Sequence, residues 1–264
     1  MSSLKREFER IFANFVGVRY SLAVSSGRNA IYLVLKSFIS SGDEVILPSF
    51  VCKSVLVAVK ESGATPVLVD INKDLTVDLA EIKKKISEKT KAVLLVHIYG
   101  RSSKVDLIKS FCRERNVVLI EDCAQALGSK YKDQVVGSFG DFAIYSLTKN
   151  MSNSGGGVIV TDNQSAFEKV ISLKRNIQRR KSLFSLPYLS FKYIASSYES
   201  KGSNLSKYII KFVSFGAKKL LNQGSDDGLS NNFECSNSQM KRALKYIKSI
   251  NNEFEKRKRI YSYL

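Results

Sequence analysis

The residues of this sequence best suited to chemistry are a carboxylate and an amine, Asp122 and Lys149. Asp122 follows an apolar run at 117–120, Lys149 follows a second run at 142–145, and a glycine-rich turn at 155–157 leads into a third. Short apolar runs of this kind predict buried strands, and the carboxyl ends of parallel strands form the ligand crevice of an open sheet. We therefore expect Asp122 and Lys149 to face one crevice.

A lysine amine and a carboxylate are the two groups that pyridoxal phosphate (PLP) chemistry requires. The amine holds the aldehyde of the cofactor as a Schiff base, and the carboxylate keeps the pyridine nitrogen protonated so that the ring accepts electrons. Burial in a crevice would favour the reactive free amine, because desolvation disfavours the charged form. Taken alone, the pair is more often an ordinary salt bridge between a strand end and a loop lysine.

Three further features favour the cofactor. Ser146 comes three residues before the lysine, where its hydroxyl could face a phosphate, and Gln125 comes three residues after the aspartate, within reach of the ring hydroxyl. Upstream, residues 23–30 predict a strand, a glycine turn and a helix start, whose backbone N–H groups and dipole bind anions. Arg28 would add a positive charge there.

In order along residues 12–175, the chain resembles the DegT/StrS-type sugar aminotransferases of the aspartate aminotransferase superfamily. The resemblance is carried by AVSSGRNAIYLVL, GDEVILPSF, GATPVLVDINKDLTVD, TKAVLLVHIYG, VVLIEDCAQALGSKYKDQVVGSFGD and TKNMSNSGGGVIVTD. It implies a fold type I PLP enzyme with a three-layer α/β/α large domain. The roles it implies are Schiff-base lysine for Lys149, pyridinium partner for Asp122, ring-hydroxyl contact for Gln125, and phosphate cradle for Gly27, Arg28, Asn29 and Ser146.

Two segments depart from the family pattern. Cys52 stands where the family has an aromatic residue that stacks on the cofactor ring. We expect a buried helix-start cysteine with no reactive role, because no neighbouring residue in the sequence indicates a lowered pKa. The family segment that reaches the partner subunit's phosphate site begins here at Asn232, which we assign to the cofactor. Glu234 replaces the usual arginine of that segment. We expect Glu234 to point away from the phosphate and Arg28 to supply the missing charge.

The histidine and the cysteines of the chain predict no metal site. His97 is the only histidine, and we expect neighbouring backbone groups to satisfy its ring at a strand end, since Lys149 can itself move a proton. The four cysteines lack CxxC spacing, and residues 1–12 lack the apolar segment of a signal peptide, so we expect a reduced, cytoplasmic location. The cysteines are Cys52, Cys112, Cys123 and Cys235.

Positive charge is concentrated in one part of the chain. The net charge is +18, from 42 basic and 24 acidic residues, and twelve of the basic residues fall in 169–221 beside a single glutamate. With interleaved aromatic residues, the stretch 179–221 predicts a basic amphipathic insertion that either contacts an anionic membrane surface or packs on its own domain or a dimer partner. Nothing resembles a nucleic-acid-binding module.

Alternating strand and helix patterns predict an α/β fold with a mostly parallel sheet covered on both faces. A first helix is predicted at 4–15. We expect a PLP-binding large domain at 1–175 and the basic insertion at 176–230. Residues 231–264 are expected to form the end of the large domain and the start of a bridging helix, with the family's small domain absent. Predicted strands are 21–24, 44–47, 66–70, 92–97, 117–120, 142–145 and 157–161; predicted helices are 29–38, 53–61, 79–86, 105–115 and 164–174.

By resemblance, the expected activity is transfer of an amino group, with glutamate as donor, to a nucleotide-linked keto sugar for cell-surface polysaccharide synthesis, in a cytoplasmic homodimer. Dehydratases on the same scaffold carry histidine in place of the lysine, so Lys149 favours transamination. The alternative is a truncated, non-catalytic remnant that keeps the fold and the cofactor and binds a partner or a membrane surface. The absence of the small domain supports that alternative.

Overall fold

The computed structural model describes residues 3–150, 155–177, 233–250 and 252–255. A seven-stranded sheet with the order β1-β9-β8-β5-β4-β2-β3 forms the centre, and a short hairpin, β6-β7, lies apart from it. The strands are β1 (Tyr20–Val24), β2 (Glu44–Pro48), β3 (Thr65–Val69), β4 (Thr90–Val96), β5 (Val118–Asp122), β6 (Lys130–Tyr131), β7 (Gln134–Val135), β8 (Phe142–Ser146) and β9 (Gly157–Thr161). Among the described strands of this sheet, β9 alone runs antiparallel to its two neighbours.

Helices cover both faces of the sheet, which gives the predicted three-layer α/β/α architecture. They are α1 (Ser3–Val16), α2 (Gly27–Lys36), α3 (Lys53–Ser62), α4 (Leu79–Lys85), α5 (Val105–Glu114), α6 (Leu147–Asn150), α7 (164–177) and α8 (Asn237–Lys248). One face packs against α2, α3 and α7, and the other against α1, α8, α4 and α5. Strand residues alternate between the two faces, so that Leu22 and Val24 join one core while Ala23 joins the other.

The strands and helices begin and end close to the predicted positions. The β9 bounds agree with the prediction, whereas β5 continues to Asp122, which therefore lies inside the strand rather than after it. Helix α7 runs to residue 177 and crosses the expected domain boundary at 175. Most of the basic insertion predicted at 176–230 lies outside the described part of the chain, because residues 178–232 are not described, and neither are residues 256–264.

Candidate active site

The pairing of β5 with β8 creates the expected crevice. The two strands are parallel neighbours, with Asp122 opposite Ile144, so Asp122 and Ser146 end adjacent strands at the same edge of the sheet. Lys149 follows on the short helix α6. On the other side of β5, the backbone N–H of His97 donates to the carbonyl of Asp122 at 3.0 Å, which ties the end of β4 to this edge.

Asp122 is a buried carboxylate whose side chain accepts one hydrogen bond from the residues that the structure describes. It is 4% exposed, and its Oδ1 accepts from the backbone N–H of Ala124 at 2.9 Å. Burial raises the pKa of Asp122, while this hydrogen bond and the charges of Lys149 and His97 oppose the rise. A cation placed against this carboxylate would offset the cost of keeping it ionised.

Lys149 is close enough to Asp122 and to Cys52 for its charge to oppose the rise in the Asp122 pKa and to contribute to the lowering of the Cys52 pKa. Its side chain is exposed in the described part of the chain. The prediction that the crevice desolvates this amine is wrong for the described residues. The strand ends bring the amine to the carboxylate, but the described side chains do not cover it.

The start of α2 faces the end of β8. A Cβ atom added at Gly27 would lie 3.6 Å from Cβ of Ser146. Ser26 caps the helix and accepts from the backbone N–H of Asn29 at 3.1 Å, and the Asn29 side chain is buried. A Cβ at Gly157 would lie 2.5 Å from the backbone of Ser26, so only glycine fits behind this turn. The helix start and the Ser146 hydroxyl are therefore held at the same place.

Arg28 lies in the first turn of α2 and is half-buried. Its positive charge is near enough to Cys52 to contribute to lowering the thiol pKa. Arg28, Lys149 and Cys52 thus belong to the same neighbourhood, although the sequence separates them widely.

Cys52 differs from its expected environment. It is the N-cap residue of α3, as a helix-start cysteine should be, but it is exposed rather than buried. The hydroxyl of Ser54 donates to Sγ at 3.1 Å, and this bond is the main cause of a lowered Cys52 pKa, followed by the Ser54 backbone N–H. The expectation that nothing lowers this pKa is therefore wrong. The i to i+2 spacing of cysteine and serine at a helix start was the available sequence signal.

Gln125 is half-buried beside the turn that follows β4. The backbone N–H of Tyr99 donates to Gln125 Oε1 at 3.4 Å. This bond orients the side-chain amide, so that its NH₂ group points away from Tyr99. Tyr99 has a positive φ of 50° and its side chain is 73% exposed, while Phe50, which follows β2, is 55% exposed. Two aromatic side chains therefore stand at the rim of the same sheet edge.

His97 is satisfied by a carboxylate rather than by backbone groups, contrary to expectation. Its Nε2 lies 2.9 Å from Glu121 Oε2, and both side chains are fully buried. Among the described residues, Nδ1 of this ring has no hydrogen-bond partner. The sequence analysis did not single out Glu121, because a lone glutamate at a strand end carries no distinguishing pattern.

Glu121, His97 and Cys123 form a compact buried group whose ligand atoms lie within 4.8 Å of one another. The carboxylate already accepts the backbone N–H groups of Gly137, Phe139 and Gly140, at 2.6–2.8 Å, besides its contact with the histidine. Burial raises the pKa of the Cys123 thiol well above its usual range. The acceptor positions are occupied and the thiol stays protonated, so the chemistry of this group does not favour a metal ion.

Only part of the segment that the family resemblance assigned to the partner's phosphate site belongs to the described residues, which begin again at residue 233. Asn232 lies outside them. Glu234 is described, and its carboxylate accepts from Lys5 Nζ at 2.8 Å and from Lys174 Nζ at 2.5 Å. Neither lysine could be linked to Glu234 from the sequence, because α1 and α7 meet it only through the fold.

Comparison with known proteins identifies the family of this chain. The sequence profile of the DegT/DnrJ/EryC1/StrS aminotransferase family matches residues 2–188. The chain belongs to this family. Its α/β fold with a mostly parallel sheet is similar to that of solved structures. One is an E. coli GDP-4-keto-6-deoxy-D-mannose-3-dehydratase with bound hydrated PLP, with a TM-score of 0.60 and 26% identity over 65% of this chain and 46% of that one.

Curated members of the DegT/DnrJ/EryC1/StrS family are more similar in sequence. GDP-perosamine synthase of Escherichia coli O157:H7 is 38% identical over 173 residues, which are 64% of this chain and 48% of that protein. dTDP-3-amino-3,6-dideoxy-alpha-D-galactopyranose transaminase of Aneurinibacillus thermoaerophilus is 38% identical over 174 residues, again 64% of this chain and 48% of the relative. The chain spans about half the length of the curated relatives it matches.

Proposed function

We propose that this chain binds PLP in the crevice at the ends of β5 and β8, and that the protein transfers an amino group from glutamate to a nucleotide-linked keto sugar. The observation that carries the proposal is the juxtaposition of buried Asp122, Lys149 and the start of α2 at one sheet edge. The names of the relatives, a GDP-perosamine synthase and a dTDP-amino-sugar transaminase, support the substrate class.

The residues present fit the cofactor. Asp122 is a buried carboxylate with a raised pKa, and a protonated ring nitrogen is a cation that would offset its burial. The start of the ten-residue helix α2 provides backbone N–H groups for a phosphate, beside the Ser146 hydroxyl. We assign Gly27, Arg28, Asn29 and Ser146 to the phosphate, the Gln125 NH₂ group to the ring hydroxyl, Cys52 to the ring face, and Asn232, outside the described residues, to the cofactor.

PLP, when bound, supplies an electron sink for the carbon that loses a proton. Lys149 is the catalytic residue in this proposal, because its amine both anchors the cofactor and carries a proton to and from the substrate at Nζ. Asp122 holds the proton of the ring nitrogen through its carboxylate. Gln125, oriented by the Tyr99 N–H, presents a donor rather than an acceptor to the ring oxygen.

The proposal also covers the partners and the location of the protein. We propose a homodimer, in which Phe50 and Tyr99 at the rim would be covered, a cytoplasmic location, and peripheral membrane contact through 179–221. The division into 1–175, 176–230 and 231–264 is part of the same proposal. Within the residues that the structure describes, no helix has the length and apolar character needed to cross a bilayer.

Absorbance spectroscopy on the purified chain tests the function. With added PLP we expect a visible band that borohydride removes and that the Lys149→Ala variant lacks. Glutamate should then convert the spectrum to that of the amine form of the cofactor. A chain that stays colourless in excess PLP contradicts the proposal, and a coloured chain that glutamate leaves unchanged contradicts amino transfer and supports the non-catalytic alternative.

A further inference from the structure

The described chain resumes at residue 233 directly beneath the turn that begins α2. Phe233 is 2% exposed, and its carbonyl accepts from the backbone N–H of Ser25 at 3.3 Å. Cys235 Sγ donates to the carbonyl of Val24 at 2.7 Å and lies 3.0 Å from a Cβ built at Gly156. The segment 233–235 therefore supports the turn before α2, which belongs to the proposed phosphate cradle, and the turn before β9, which packs behind it.

Glu234 ties this segment to two helices. Its carboxylate binds Lys5 on α1 and Lys174 on α7, whose side chains are only 6% and 5% exposed, whereas the Glu234 side chain is 45% exposed. Lys5 also lies 3.9 Å from Oε1 of Glu9, which accepts the backbone N–H of Ala23 at 2.8 Å. The cluster thus joins α1, β1, α7 and the returning segment.

The charges of this cluster explain why a carboxylate suits position 234. Burial raises the pKa of Glu234, but the hydrogen bonds from Lys174 and Lys5 and their charges outweigh it, so the net pKa is lowered and the group stays ionised. Two ammonium groups are then balanced by Glu234 and Glu9. An arginine at 234 would bring a third cation to two buried lysines, and removing the carboxylate would leave them underpaired.

We propose that Glu234 is a positioning residue: its bridge between Lys5 and Lys174 holds residues 233–235 against the two turns and so sets the geometry of the anion cradle at the start of α2. The proposal rests on the proposed function for the identity of the anion, the phosphate of PLP. The placement of the turn itself does not depend on the cofactor.

Two measurements on the full chain test the role of Glu234. The first is hydrogen–deuterium exchange of the amides at 25–29 without cofactor, and the second is PLP affinity from the visible absorbance. In Glu234→Gln we expect faster exchange at 25–29 and about tenfold weaker PLP binding. The matched control is Glu7→Gln on α1, the helix that carries Lys5; it removes an exposed ion pair with Lys248 and should change neither the exchange nor the PLP affinity.

A second variant separates positioning from stability. Lys174→Met with Glu234→Leu removes one cation and one anion together and leaves the Lys5–Glu9 pair, so its unfolding midpoint should return to within about 2 °C of the parent. We expect its amides at 25–29 still to exchange faster and its PLP affinity still to be lowered. If the exchange rate at 25–29 and the PLP affinity both returned to parent values together with the unfolding midpoint, the proposal would be overturned, because stability alone would then explain the effect of Glu234→Gln.

The exchange measurement keeps this inference distinct from the proposed function. Unchanged exchange at 25–29 in Glu234→Gln overturns the positioning role, whether or not the parent binds PLP. If Glu234→Gln exchanges faster than the parent and the parent binds no PLP, the positioning role is supported and the proposed function is contradicted. Faster exchange with parent-like PLP affinity overturns the link between the turn and the phosphate.

Discussion

The consecutive residues Glu121 and Asp122 place two buried carboxylates in contrasting surroundings. Glu121 accepts three backbone N–H groups and contacts the His97 ring, and it belongs to a closed network. Asp122 accepts one side-chain hydrogen bond within the described part of the chain, has a raised pKa, and faces the crevice that contains Lys149. A carboxylate that accepts several hydrogen bonds stabilises its own loop, whereas a carboxylate with few hydrogen bonds is available to a ligand. Both residues are buried, so the number of hydrogen bonds distinguishes the structural carboxylate from the functional one better than burial does.

The thiols repeat this contrast. Cys123, beside the closed network, is fully buried and its pKa is raised well above the usual range. Cys52, in the crevice, is exposed and its pKa is lowered by Ser54. Burial therefore favours the protonated thiol in one region, whereas the Ser54 hydrogen bonds favour the thiolate in the other, although both cysteines lie at the carboxyl edge of the sheet.

The largest expected effect is on stability, from Glu121→Ala. The substitution leaves three backbone donors and the His97 ring unpaired in the interior, which we expect to cost about 3–5 kcal/mol in the free energy of unfolding. Denaturant unfolding measures it. A loss below about 1 kcal/mol would remove the distinction between the two carboxylates.

Asp122→Asn should affect chemistry instead. The amide keeps the shape of the side chain, so the free energy of unfolding should change by less than about 1 kcal/mol, while conversion of the bound cofactor by glutamate slows about 100-fold because the ring nitrogen loses its carboxylate. Stopped-flow absorbance measures the rate. A large stability loss with an intact rate would reverse the roles assigned to Glu121 and Asp122.

Thiol reactivity extends the comparison to the cysteines. At neutral pH, Cys52 should react with iodoacetamide more than about tenfold faster than Cys112 or Cys235, because the thiolate is the reactive form and burial raises their pKa to about 12 and about 11. Peptide mass spectrometry identifies the modified residue, and bound PLP should protect it. Equal labelling of the three cysteines would contradict the contrast between crevice and core.

Arg28→Ala tests the charge in the crevice. If Arg28 supplies the positive charge that Glu234 does not, its removal should weaken PLP binding about tenfold without changing the position of the visible band. Arg19→Ala is the matched control, since Arg19 is exposed and pairs with Asp162 away from the crevice. Parent-like affinity in Arg28→Ala would rule out this compensation.

The smallest effect is a pH dependence of stability. Because the pKa of Asp122 is raised in the folded state, the folded chain binds its proton more readily than the unfolded chain does, and stability falls as pH rises from the unfolded value through the folded one. Above the folded pKa, the parent should therefore be less stable relative to Asp122→Asn than it is in acid. Unfolding of both proteins across this range gives the difference, and an opposite slope would show that another group lowers the pKa of Asp122.

Much of the fold followed from local pattern. Apolar runs and strand–helix alternation predicted the described strands of the sheet, because burial on both faces of a parallel sheet leaves nearly continuous apolar segments. The same runs placed Asp122, Ser146 and Lys149 at strand ends. Spacing and the family resemblance were sufficient for this, since neither depends on how distant side chains meet.

Distant contacts were beyond prediction. The exposure of Cys52, the bond between His97 and Glu121, and the bridge from Glu234 to Lys5 and Lys174 all depend on which elements become neighbours. Hydrogen-bond partners and desolvation are set by packing between segments far apart in sequence, and no local periodicity encodes them.

The sequence by itself determined the order of the elements, the family, and the positions of the aspartate and the lysine, because periodicity and motif spacing are local properties. Only the tertiary structure decided that, among the described residues, Asp122 receives fewer hydrogen bonds than its neighbour Glu121, and that the thiol of Cys52 is exposed near Arg28 and Lys149. Those outcomes depend on solvent access and on partners brought from other strands and helices, which exist only once the sheet is assembled.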